Sequence, residues 1–216
     1  WIFNFLQSFL CGKLSAAELA AWAALNNNTP LGYTLAIALA DVTLTYMGNS
    51  MGENQVEKAK LFLKGSLIIT GVGVLLVMLI YFFFSYQIAE FYLSDPVAID
   101  YTVGLFTLFL AIWPADCMQM IMGSGLRAIG KEKAGFLTNL CALYFVGAPL
   151  SYYLTFTLKL SVYGLLAGTI IGDYIIFIVY LIIYARLDWK HQNRVVLSKI
   201  RRDHLESKSE ELEEPI

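Results

Sequence analysis

Three stretches of this chain contain no Asp, Glu, Lys or Arg: Leu19 to Ala40, Gly65 to Ala89 and Ala134 to Leu158. A helix rising 1.5 Å per residue needs roughly 20 apolar residues to cross a hydrocarbon core, and each stretch is long enough. Two more spans carry one acid each: Tyr101 to Leu126 holds Asp116, and Leu160 to Ala185 holds Asp173. The opening WIFNFLQSFLCG reads as a shortened sixth span. Composition agrees, since only 15% of residues are charged and the mean hydropathy is +0.62, whereas soluble domains are about a quarter charged. Strict apolar–polar alternation is missing, which argues against a membrane β-barrel. The expected fold is an all-α integral membrane bundle of six transmembrane helices. Its spans fall at about 1–10, 16–47, 56–88, 97–129, 131–158 and 162–187, and a charged tail follows over 188–216.

Lys and Arg are retained in cytoplasmic loops. With the C-terminus placed in the cytoplasm, thirteen of the fifteen basic residues lie on the inner side, leaving only Lys13 and Lys159 outside. The outer loop IAEFYLSDPVAIDY carries acids and no base, and its LSDP predicts a helix start capped by Ser94 or Asp95. Trp1 opens the chain inside an apolar segment without Met or a basic n-region, which reads as the edge of a longer protein rather than a signal peptide. The tail is basic up to Arg202 and acidic beyond it. Two readings fit it: a solvated positive-inside tail, or a juxtamembrane patch for anionic headgroups. It lacks the aromatic or groove-reading elements of a nucleic-acid binder.

Several chemistries lose support. Cys11, Cys117 and Cys141 read as small apolar fillers, and His191 and His204 are too far apart for a helical metal pair. GSGLRAIGK lacks the phosphate-loop spacing, so this segment is not expected to hydrolyse ATP. No nucleophile and base are arranged for an enzyme, and no cofactor is implied. Transport driven by an ion gradient fits better.

Asp116 is the residue that most needs explaining. It lies eleven residues before Arg127, roughly 16 Å along a helix and so near mid-bilayer. An ionised carboxylate there costs several kcal/mol unless paired, hydrated or protonated. That suits it to take up and release a proton during transport. Pro114 frees the Leu110 carbonyl one turn away, and Gln119 shares the aspartate's face. Asp173 lies thirteen residues from Arg186, also near mid-depth, and is a second candidate. Asp41 is a third, nearer the cytoplasmic end where water reaches it. Pro30 follows three asparagines and frees the Asn26 carbonyl, while GAP at Gly147–Pro149 is expected to interrupt the fifth helix. Asn4 is accounted for equally by a cleft or by a packing hydrogen bond.

These residues resemble a known family. DCMQMIMGSGLRAIGKEKAGFLTNLCALYFVGAPLSYYL is similar to the D-x-x-Q…G-x-x-R-x-x-G…N-x-x-x-Y-x-x-x-G-x-P stretch of multidrug and toxic compound extrusion (MATE) transporters, eukaryotic branch. Asp116, Gln119, Arg127, Asn139, Tyr144, Gly147 and Pro149 fall on that pattern. YMGNSMGENQVEKAK resembles the family segment after the C-terminal lobe's second helix, with Tyr46 where the family has Arg; VYGLLAGTIIGD resembles the opening of its last helix.

The resemblance implies the C-terminal lobe of a twelve-helix, two-lobed transporter in a plasma or vacuolar-type membrane. Its partners would be the bilayer, an N-terminal lobe, an organic cation or metabolite, and H⁺ or Na⁺. It further implies an acidic pair, one acid in the lobe's fourth helix, matched by Asp116, and one in its first, which falls on Asn4. With that acid missing, Asp41 or Asp173 substitutes, or Asp116 acts alone. Asn4, Gln119, Asn139, Tyr144 and Tyr33 would line the substrate cleft, the tyrosines offering cation–π surface. Two other readings remain open: a lipid-linked or polysaccharide flippase of the same superfamily, disfavoured because no Lys or Arg lies deep in a span, and a non-transporting half-transporter.

Overall fold

The structure, a computed structural model, describes residues 2–213; Trp1 and the last three residues of the tail lie outside the described residues. It is helical throughout: α1 (Ile2–Cys11), α2 (Ala16–Gly52), α3 (Val56–Tyr92), α4 (Pro96–Ala128), α5 (Glu132–Thr157), α6 (Ser161–Ala185) and α7 (Trp189–Glu213). α2 to α6 are each long and apolar enough to cross a membrane, and α1 is a ten-residue apolar helix. Local chemistry explains where they start. Ser15 and Glu18 close a capping box at α2, each satisfying the other's backbone N–H. Of the two expected caps for α4, Asp95 serves: its Oδ1 accepts from the Val97 N–H at 3.2 Å, and Pro96 takes the first turn.

Both α2 and α4 run unbroken through their prolines. The Asn26 carbonyl freed by Pro30 accepts instead from the Thr29 hydroxyl at 3.3 Å. The expected interruption of α5 at GAP is not found. Its backbone stays helical from end to end, with wider π turns at Leu140–Gly147 and Tyr153–Thr157 on either side of the α turn Ala148–Tyr152. Pro149 sits in the first turn of that α segment, where its missing N–H costs least.

α2 and α4 pack together at the centre, with α3 against one flank and α6, backed by α5, against the other. Apolar burial is divided in two. One cluster gathers Trp22, Tyr81, Phe106 and Trp113; the other gathers Met47, Met51, Leu126 and Tyr180. α3 turns side chains such as Ile68, Leu75 and Phe82 outward, as a helix facing lipid does.

Glycines let α5 and α6 touch. Gly164, Gly168 and Gly172 repeat every fourth residue on α6 and so share one face. A Cβ on Gly168 would strike the Ser151 backbone, and one on Gly164 would lie 2.6 Å from the Thr155 nitrogen. Gly32 of α2 has the same role at α4, where the Trp113 indole fills the space a side chain would take.

The charged tail is structured. α7 packs against α2 and α3, and Gln192 and Asn193 are buried. The Gln192 amide donates to the Ile129 carbonyl at 2.8 Å, and Asn193 donates to the Asn54 side chain. α7 thereby ties the α2–α3 and α4–α5 connections together at the basic end of the bundle.

Candidate functional site

A cavity of about 1000 Å³ opens among α1, α2, α4, α5 and α6, and both mid-helix acids line it. Asp116 comes from α4 and is half-buried; Asp173 comes from α6 and is 5% exposed. They are joined by Gln119, one turn beyond Asp116. Its Nε2 donates to Asp116 Oδ1 at 2.7 Å and to Asp173 Oδ1 at 3.0 Å. The Tyr33 hydroxyl of α2 donates to the remaining oxygen, Asp116 Oδ2. One network therefore links three helices.

Packing fixes the members of this network. Tyr33 stands edge-on to Phe109, with ring centroids 6.1 Å apart, and beside Trp113 at 6.0 Å. Trp113 is fully buried, held between the Gly32 gap and the Tyr81 ring. Next to Asp173, the Tyr174 hydroxyl donates to the Ala111 carbonyl at 2.7 Å, in the turn loosened by Pro114. Two carboxylates bonded to one nitrogen lie about 5 Å apart. Both ionised, they would repel by about 3 kcal/mol at an effective dielectric constant of about 20. A proton or a cation between them removes that repulsion.

A second polar group faces the same space from α1. Gln7 is 1% exposed, and its Nε2 donates to Ser151 Oγ at 3.0 Å and Thr169 Oγ1 at 3.3 Å. The Oε1 atoms of both Gln7 and Gln119 are buried without a partner. Near the basic end Asn139 donates to Tyr180 Oη at 2.6 Å, and Arg127, Glu132 and Lys133 line the mouth.

Most of the residues expected from sequence meet here. Asn4, Tyr33, Asp116, Gln119, Asn139 and Asp173 all line the cavity. Tyr144 is set back, packed edge-on against Phe3 with centroids 5.9 Å apart, and Phe3 forms the wall. Asp41 is exposed and stands apart from this wall. Eight residues separate it from Tyr33, which carries it about 12 Å along α2 toward the basic end. Pro30, Pro114 and Pro149 lie within or beside the helices that build the cavity rather than in its wall. Sequence reasoning missed Gln7, which shares a helix face with Asn4 three residues earlier, and the glycine repeat that sets the position of Asp173.

Comparison with known proteins places the helical fold in a family. The MatE family model matches residues 1–153, and the chain belongs to that family. It is 29% identical over 168 residues to the uncharacterized transporter C4B3.13 of Schizosaccharomyces pombe, covering 78% of this chain and 31% of that protein. Mouse multidrug and toxin extrusion protein 2 is 26% identical over 189 residues, covering 88% of this chain and 33% of that one. Among solved structures, the eukaryotic MATE transporter AtDTX14 superposes with a TM-score of 0.84 at 23% identity, over 93% of this chain and 45% of that chain. The chain thus spans about a third of the length of these curated relatives and rather less than half of the solved fold. Its helices correspond to one lobe of a two-lobed MATE transporter.

Proposed function

We propose that this chain is the C-terminal lobe of a secondary active transporter that exports organic cations or metabolites in exchange for H⁺. The observation that carries the reading is the pair of acids inside one cavity, Asp116 and Asp173, linked by Gln119. Burying two neighbouring carboxylates is costly unless a positive charge or a proton joins them. A site that holds either one, but not both together, exchanges them. A second lobe forms the opposite wall of the cleft, and the basic end, with α7, faces the cytoplasm, where Lys and Arg are retained. Asn4, Gln7, Tyr33 and Asn139 give the substrate polar and aromatic surface.

The test is uptake of a tetraalkylammonium ion into proteoliposomes carrying the intact transporter, under an imposed pH gradient or an imposed Na⁺ gradient. Wild type responds to the pH gradient, and Asp116→Asn, which removes one charge from the cation site, takes up far less under the same gradient. Equal gradient-driven uptake by the two removes Asp116 from the mechanism, and a response to Na⁺ alone replaces the coupling ion.

A further inference from the structure

Asp116 and Asp173 line one cavity and share one amide, yet their surroundings differ. Both oxygens of Asp116 are occupied: Oδ1 accepts from Gln119, and Oδ2 accepts from the Tyr33 hydroxyl. Asp173 accepts a single hydrogen bond, from Gln119 to Oδ1, and its Oδ2 has no protein donor among the described residues. Gln119 cannot redress this, because its Nε2 is already committed to both acids. Turned over, its amide would aim an oxygen at two carboxyl groups, so the observed orientation is the one that a negative site selects.

We infer that the two acids divide the work: Asp116 is a fixed carboxylate that holds Gln119 and Tyr33 in place, and Asp173 is the group that takes up and releases the proton. This rests on the proposed antiport and deepens it. A carboxylate with a donor on each oxygen is favoured in its ionised form, whereas one with an open oxygen can carry an O–H there. An N–H of an incoming cation finds the same open acceptor, Asp173 Oδ2. That open acceptor suits a protonated amine with at least one N–H. A fully alkylated cation can use only the charge.

The position of Asp173 adds to this. It follows Gly172, whose own face of α6 touches α5, and its side chain has a single protein link, the bond from Gln119. Asp116 has a second link, to α2 through Tyr33. The other titratable groups around Asp173 are few. α4 presents Asp116, and Arg127 at the mouth; α2 presents Tyr33; α6 itself presents Tyr180. α5 adds Glu132 and Lys133 at the mouth, and α1 contributes no charged group to the wall.

Infrared difference spectra of the intact transporter between acidic and neutral pH test the assignment through the C=O band of a protonated carboxyl. The band is expected in wild type and in Asp116→Asn, and its disappearance is expected in Asp173→Asn. Asp173→Glu, which keeps a carboxyl, restores it. The pH profile of tetraalkylammonium exchange should flatten in Asp173→Asn and stay sloped in Asp116→Asn. A band that survives Asp173→Asn, or that Asp116→Asn alone abolishes, overturns the assignment. Vesicles in which wild type ignores the pH gradient while its band follows these rules would overturn proton-driven export and leave the proton on Asp173.

Discussion

Gly168 is where a single methyl group should do the most damage to the site without touching it. A Cβ there would lie 2.6 Å from Ser151 Cα and closer still to the Ser151 backbone nitrogen. Carbon atoms settle at about 3.5–4.0 Å, so in Gly168→Ala α5 and α6 must part by about 1 Å. Overpacking of this kind costs about 1–3 kcal/mol. Replacing a helical glycine with alanine returns about 1 kcal/mol, so the net loss reaches about 2 kcal/mol. That corresponds to a factor of up to about 30 in the folded-to-unfolded ratio. Gly172 is the internal control. A Cβ there meets Leu143 Cδ2 at 3.1 Å and the Ala142 carbonyl at 3.3 Å. A flexible leucine end can yield, and the propensity gain roughly cancels the strain. The two variants should therefore separate in detergent-driven unfolding, with Gly168→Ala unfolding first. They should separate in transport as well. Shifting α6 by about 1 Å stretches the Gln119–Asp173 bond, now 3.0 Å, beyond hydrogen-bond reach, and gradient-driven uptake falls. Equal midpoints for Gly168→Ala, Gly172→Ala and wild type would refute the claim that this contact is tight and that it positions Asp173.

Tyr33→Phe keeps the ring against Phe109 and Trp113 but removes the donor to Asp116 Oδ2. Hydrogen bonds to charged groups contribute about 1.5–3 kcal/mol, so uptake should drop by roughly tenfold or more while the unfolding midpoint moves less than in Tyr33→Ala. Gln192→Leu leaves the Ile129 carbonyl without its α7 donor, at a cost of about 1–3 kcal/mol to α7 docking; faster tryptic cleavage after Arg201 or Arg202 would register it. Asp188 precedes α7, and its Oδ1 accepts the His191 backbone N–H at 3.0 Å, which holds its carboxyl below the usual aspartate range. A lowered folded value means the contribution is present above the unfolded value near 4 and is lost as pH falls through the folded one. Amide exchange in the first turn of α7, corrected for its intrinsic pH dependence, should stay constant from pH 5 to 8 and rise in stronger acid.

How much of this could be read beforehand differs from residue to residue. The start of α4 at Asp95–Pro96 was legible because capping is settled by three or four neighbouring residues. So was the Asp116–Gln119 bond, since residues three apart share a helix face. The fifth helix was misjudged at GAP because a proline in sequence signals a lost hydrogen bond but not the π turns that absorb it. The tail was legible as charged, but not as a helix docked through Gln192 and Asn193, because the partners of those amides lie 63 and 139 residues away.

Sequence alone determined that the chain builds long apolar helices and which acids interrupt them, because lipid's intolerance of charge acts on each stretch independently of the rest. Whether Asp41 or Asp173 stands opposite Asp116 was decided only by tertiary packing. That choice depends on how far each helix is rotated and slid against its neighbours, and contacts remote in the chain set both. Trp113 filling the gap at Gly32 seats α2 on α4. The glycine face of α6 lets α5 close in, and Asp173 is carried to Gln119, 54 residues away in the chain.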